Sequence, residues 1–270
     1  VRTIFPEYAT ARFNSTSKPN RRDILAIGMH LPCAGAETFP GTVFYLNGEA
    51  YTSDMVPGAF YLGPVDSPLP RHMQFYYASL ASLLLGTPRN FHKDYTHFQD
   101  RFLLYVQSKC HPHREDAFRR FADIGEVWAG GKCHGNISQY KQVHRSGDWT
   151  TEVEVYSRFK FGLVMENTRL PGYVTEKILA AFVGGTVPIY YGTEEIFELF
   201  NAEAFIFYNE SDPQSTMTQV KALMDNETAY AYMLSQPAVS STQYETHFSL
   251  TDDGNLVRQI QAFLESKDDG

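Results

Sequence analysis

The sequence is short of positive charge, of cysteine and of long apolar runs. Twenty-three lysines and arginines stand against 31 aspartates and glutamates, a formal net charge of -8. That balance argues against a nucleic-acid partner, because the phosphates would need a basic surface to release their counterions. A local basic pocket is still allowed. No segment approaches the roughly 18 apolar residues that span a bilayer, and the start VRTIFPEYAT lacks the apolar core of a signal peptide. The chain starts at Val1, so any membrane anchor is expected upstream of it. Three cysteines, Cys33, Cys110 and Cys133, match neither a zinc spacing nor a dense disulfide framework, and they read as small buried residues. Internal repeats and low-complexity blocks are missing too.

What is present is an ordinary globular composition, 43% hydrophobic and 20% charged. The 270 residues exceed the usual single domain but are few for two full α/β domains. One complete domain plus a smaller or truncated one fits best. Four N-glycosylation acceptor sequences, at Asn14, Asn136, Asn209 and Asn226, tilt the reading toward a lumenal protein.

The pattern changes near residue 90. Before it, DILAIGM at 23–29 and TVFYL at 42–46 read as buried strands. MQFYYASLASLLLG at 73–86 has helix length and stops on Gly86. These define a first unit at 1–92. From residue 101 the alternation is regular: strand 101–106, helix 113–123, strand around Val127, strand 160–165, helix 175–184, strand 186–191, short helix 193–200 and strand 204–208. Amphipathic patterns at 213–234 and 253–266 predict terminal helices, so the second unit runs 101–266. Strands alternating with helices predict a parallel sheet wrapped by helices, with ligands at the carboxyl ends of the strands.

Just past the strand FKFGLVM comes ENTRLPGYVTEKILAAF, where Pro171 and Gly172 break the chain and Thr175 can cap a helix starting at Glu176. A helix N-terminus there favours an anion. Lys177, a cation in the first turn, opposes the helix dipole and is easier to explain if it serves that anion. By periodicity alone, Glu176 and Lys177 read as a solvated helix start, and Arg114 as a surface residue of its helix. His111 and His113 lack further ligands at a metal spacing.

Residues 159–193, FKFGLVMENTRLPGYVTEKILAAFVGGTVPIYYGT, resemble the signature of the α-1,3-fucosyltransferases, family 10 of the glycosyltransferases. That signature is an aromatic-Lys-Phe strand, Glu-Asn-Ser/Thr, Tyr-Val/Ile-Thr-Glu-Lys, then Gly-x-Val-Pro and Gly. Weaker similarity extends to SKCHPHREDAFRRF, GGKCHGN and NAEAFIFYN. The resemblance implies an α/β fold of two facing Rossmann-like domains, GT-B type, with the N-terminal one truncated, since only 48 residues precede Glu49. It also implies an inverting enzyme that moves fucose from GDP-fucose to a glycan or glycoprotein acceptor in an α-1,3-type linkage. No cofactor or metal is implied. The setting implied is the Golgi lumen, with the chain as the catalytic part of a type II membrane protein anchored outside this sequence.

Residue by residue, the resemblance makes Arg114 and Lys177 the donor-phosphate cations, Glu176 the ribose-binding glutamate, and Asn167 and Tyr173 further donor-site positions. Arg114 and Lys177 are expected at accessible cleft edges. Glu49, just after TVFYL, is the expected base. Glu166 is its rival, assigned to shaping the donor pocket. Two alternatives stay open: a transferase using another nucleotide sugar, and an inactive relative that binds GDP or a glycan.

Overall fold

The computed structural model describes residues 18–28, 35–50, 58–64, 71–85, 99–144, 152–249 and 254–268. Cys33, Gly86 and Asn14 lie outside the described residues. Two parallel sheets organise the chain. The first carries β1 (Ile24–Gly28), β2 (Thr42–Leu46), β3 (Phe60–Gly63) and β4 (His72–Gln74), paired in that order, followed by helix α1 (Tyr77–Leu85).

The second sheet has six strands: β5 (Arg101–Gln107), β6 (Val127–Gly131), β7 (Lys141–Val143), β8 (Phe159–Met165), β9 (Val187–Tyr191) and β10 (Ile206–Phe207). Between and after them come α2 (Pro112–Ala122), α3 (Glu152–Tyr156), α4 (Glu176–Val183), α5 (Ile196–Leu199), α6 (Pro213–Asp225), α7 (Glu227–Ser235), α8 (Ser241–Gln243), a π-turn at Tyr244–Phe248, and α9 (Asn255–Asp268). β5, β8 and β9 are nearly continuous apolar runs, as strands buried on both faces must be.

The order in this sheet is β10-β9-β8-β5-β6-β7. From β5 the chain moves outward through β6 and β7, then returns to the other side of β5 to lay down β8. The direction therefore reverses between β5 and β8. At such a reversal the loops leave in opposite directions and open a crevice beyond the carboxyl ends of the strands. Gln107 and Met165 stand at those two ends.

The two sheets exchange helices. α1 follows the first sheet in sequence, yet Ala78 and Ala81 are buried with Leu104, Val164, Val174 and Ile178 of the second. In return α9 covers the first sheet, where Ile260 and Phe263 pack on Phe44, Phe60 and Leu62. The helix expected at 73–86 starts only at Tyr77, because His72–Gln74 pairs with β3. The pattern at 213–234 is two helices, broken where the Asn226 side chain accepts the Ala229 N–H at 3.0 Å and caps the second. β3, β4 and β7, each four residues or fewer, are too short to show a period. Among the described residues no helix is long and apolar enough to cross a membrane.

Candidate active site

The crevice is built around Glu166, the residue that follows β8. It is fully buried. One carboxylate oxygen accepts the Thr175 N–H at 2.8 Å, and the Thr175 hydroxyl lies 2.9 Å from both oxygens. The second oxygen accepts from Lys177 Nζ at 3.1 Å, and Nζ also lies 2.8 Å from the Thr175 hydroxyl. Thr175 is thus the N-cap of α4, but its side chain serves Glu166 rather than a helix N–H. This carboxylate is committed to holding the start of α4, which fits a role in shaping the pocket better than proton transfer.

Lys177 keeps 21% of its side-chain surface exposed, and its Nζ also stands 3.9 Å from Glu176. Burial pulls its ammonium pKa down, but Glu166 and then Glu176 outweigh that and hold it above the ordinary 10.5. The amine is a fixed cation at neutral pH.

Arg114 was expected at an accessible edge, and the structure corrects this: the side chain is completely buried. α2 starts with Pro112, and its first turn delivers Arg114 beneath the end of β8. The guanidinium spans the crevice floor: Nε donates to Glu166 O at 3.2 Å, one terminal nitrogen to Lys109 O at 3.1 Å, and the other to Met165 O at 2.6 Å and Asn167 Oδ1 at 2.7 Å. Only a planar fork reaches these acceptors together. Burial draws the Arg114 pKa down, opposed chiefly by Glu166. Asn167 passes the network on, donating from Nδ2 to the Tyr173 hydroxyl at 3.1 Å. Burial first of all raises the Tyr173 pKa, so the phenol stays neutral.

Arg114, Asn167, Tyr173, Glu176 and Lys177 therefore converge on one crevice. Glu49 enters from the other sheet. It sits in the turn after β2, where Asn47 Oδ1 accepts its N–H at 2.9 Å and the Asn47 amide reaches back to its carbonyl at 3.2 Å. Its charge acts on Tyr173 and Tyr77, the tyrosines that also feel Glu176 and Lys177. At Gly172, φ is +80°, and a Cβ there would run into Pro64 O and Gln74 Nε2 of the first sheet. Glycine lets the two halves touch at this point, and Glu195 accepts its N–H.

Sequence reasoning missed three contributors. His113 places Nε2 3.3 Å from Glu166 O and sets its ring tilted against Tyr191 at 4.9 Å between centroids, and burial lowers its pKa. His111 stacks on it at 5.7 Å, so the pair is an aromatic step beside the crevice. Tyr77 comes from the exchanged helix. The third is a disulfide between Cys110 and Cys133; Cys133 is buried as expected, whereas Cys110 is exposed, which corrects its reading as a small buried residue. The bond ties the loop after β5 to the loop after β6. Buried Glu115 beside it accepts from the Tyr105 hydroxyl at 2.8 Å and Gly135 N–H at 2.6 Å. With both sulfurs bonded to each other, the Cys110–Glu115–Cys133 group is not a set of metal ligands.

The family profile described as glycosyltransferase family 10 (fucosyltransferase), C-terminal part, matches residues 97–248. The chain belongs to this family. Within it, the chain is 32% identical over 148 residues to an alpha-(1,3)-fucosyltransferase of Helicobacter pylori, covering 54% of this chain and 30% of that protein. It is 27% identical over 164 residues to GDP-fucose protein O-fucosyltransferase 3 of Gallus gallus, covering 56% and 34%. The chain thus spans about a third of the length of these relatives. A crystal structure of an alpha1,3-fucosyltransferase with GDP-fucose superposes with a TM-score of 0.62 at 18% identity, over 98% of this chain and 95% of that one, which shows the shared two-sheet α/β fold of GT-B type. The five crevice residues lie inside the family 10 match, whereas Glu49 and Tyr77 lie outside it.

Proposed function

We propose that the chain is the catalytic part of a fucosyltransferase that takes fucose from GDP-fucose. The observation that carries this is the charge balance of the crevice. Arg114 is buried, yet all its bonds go to carbonyl or amide oxygens, and no carboxylate among the described residues forms an ion pair with it. The nearby buried Glu166 carboxylate offsets that burial only through space and is itself ion-paired with Lys177 at 3.1 Å, so one carboxylate serves both cations and a further anion is favoured. Lys177, at the N-terminus of α4, supplies a second positive centre. A diphosphate between them would meet two fixed cations and free helix N–H groups, a clamp that needs no metal. The membership of family 10 and the named relatives favour GDP-fucose over other diphosphate sugars.

In this reading Glu176 holds the ribose, and Asn167 and Tyr173 line the donor pocket. Glu49 takes the acceptor hydroxyl proton as that oxygen attacks the anomeric carbon from the face opposite the phosphate. The carbon–oxygen bond to the terminal phosphate breaks and GDP leaves with the electron pair, giving inversion and, by resemblance, an α-1,3-type linkage. Arg114 and Lys177 stabilise the growing charge on GDP. A glycan hydroxyl is the proposed acceptor. The name of the Gallus gallus relative supports a second reading in which it is a protein hydroxyl. The disulfide and the exposed acceptor sequences at Asn136, Asn209 and Asn226 support a secretory, Golgi-type setting.

The test is incubation with GDP-fucose over glycan and peptide acceptors, with thermal stabilisation by GDP, UDP-glucose and GDP plus EDTA measured alongside. GDP alone should raise Tm, and EDTA should leave the rise intact. Equal stabilisation by UDP-glucose would sink the guanine-specific reading.

A further inference from the structure

Tyr77, the first residue of α1, lies where the two halves of the site meet. Its ring lies against the Asn47–Gly48–Glu49 turn: a Cβ on Gly48 would come within 2.8 Å of ring atom Cε2. The next residue, Ala78, donates its N–H to Val174 O at 3.0 Å, which pins the start of α1 to the loop leading into Thr175, Glu176 and Lys177. The ring is half-buried, and its hydroxyl makes no hydrogen bond to the described residues. The charges of Glu176 and Lys177 on α4 and of Glu49 on the turn after β2 act on it. Burial first, then the two carboxylates, hold its pKa above the ordinary 10, so the phenol keeps its proton at neutral pH.

A neutral donor with no partner among the described residues, whose ring packs on the turn carrying the proposed base and whose helix start is tied to the loop leading into Lys177, is placed to reach a nucleotide bound there. We propose that the Tyr77 hydroxyl donates a hydrogen bond to the terminal phosphate of a nucleoside diphosphate clamped by Arg114 and Lys177. The inference rests on the donor-site reading above and adds to it a contact from the opposite half of the molecule. As the sugar departs, charge grows on that phosphate. A donor aimed there is stronger for transition state and product than for the intact donor sugar.

The test is calorimetric titration of the full chain with GDP and with GMP, which lacks the terminal phosphate. Tyr77→Phe keeps the ring and the fold. It should lower GDP affinity about tenfold, as loss of one hydrogen bond to a charged group predicts, and leave GMP affinity unchanged. Unchanged GDP affinity, or equal weakening of GMP, overturns the proposal. Lys177→Ala separates the two readings. If it loses GDP while Tyr77→Phe does not, only this inference fails. If the parent chain binds no GDP, or Lys177→Ala binds it normally, the donor-site reading fails and takes this contact with it.

Discussion

Arg114→Ala tests the crevice most directly, because the burial of that side chain makes it a structural residue as well as a proposed binding one. The substitution deletes four hydrogen bonds, but their acceptors are not equally exposed to the loss. Met165 O keeps the Gln107 amide at 3.2 Å, Glu166 O keeps His113 at 3.3 Å, and Lys109 O keeps the His111 N–H at 3.1 Å. Asn167 Oδ1 loses the one donor it has from Arg114. The cost is therefore dominated by the cavity and by lost charge-assisted bonds rather than by orphaned carbonyls, and about 3–5 kcal/mol is expected. At about 2–4 °C per kcal/mol for a chain of this size, Tm should fall by roughly 6–20 °C. GDP at a hundredfold excess over Kd stabilises the parent by about 2.7 kcal/mol. If the variant binds GDP about a hundredfold more weakly, that gain shrinks to about 0.4 kcal/mol at the same concentration. Scanning fluorimetry with and without GDP reads both effects. A variant that melts with the parent would refute the buried-fork account. One that melts lower but gains as much from GDP would make Arg114 structural only.

Glu49→Gln keeps the shape of the proposed base but cannot take a proton, so transfer should fall about 10²–10⁴-fold while calorimetry finds GDP affinity unchanged; a near-normal rate would remove Glu49 from the mechanism. Glu176→Gln should instead raise the Kd for GDP, through the ribose contact, and leave the fold intact. Cys110→Ser with Cys133→Ser opens a loop of sequence separation 23, which chain-entropy arguments value at about 3 kcal/mol; denaturant titration showing no loss would contradict it. His113 sits below its ordinary pKa of 6.5 because it is buried, so above that pH neither state carries the proton. As pH falls through it the unfolded chain protonates first and stability drops. His113→Gln should flatten part of the fall in Tm below pH 6.5, and an unchanged pH profile would assign that slope elsewhere.

Much of the donor half was legible in the sequence. Strands buried on both faces leave uninterrupted apolar runs such as FKFGLVM and TVPIYYG, and helix starts announce themselves through local chemistry, here Pro112 and Thr175. The motif around Glu166–Lys177 is contiguous, so its residues meet at the end of one strand and the start of the next helix. Arg114 was visible only through the resemblance, because its own helix contains two exposed arginines, Arg119 and Arg120, that look the same by composition.

What the tertiary structure alone decided is everything that depends on long-range pairing. The reversal of strand order between β5 and β8 places Arg114 under Glu166, 52 residues away in sequence, and turns an apparent surface arginine into a buried fork. The exchange of α1 and α9 between the sheets brings Tyr77 to the crevice, and no local pattern reports which sheet an apolar helix face will cover. The Cys110–Cys133 bond depends on two loops being neighbours, which follows from β5 pairing with β6. Local chemistry determined the elements and the donor motif. Burial, and with it the difference between a binding charge and a structural one, was set by how those elements stack.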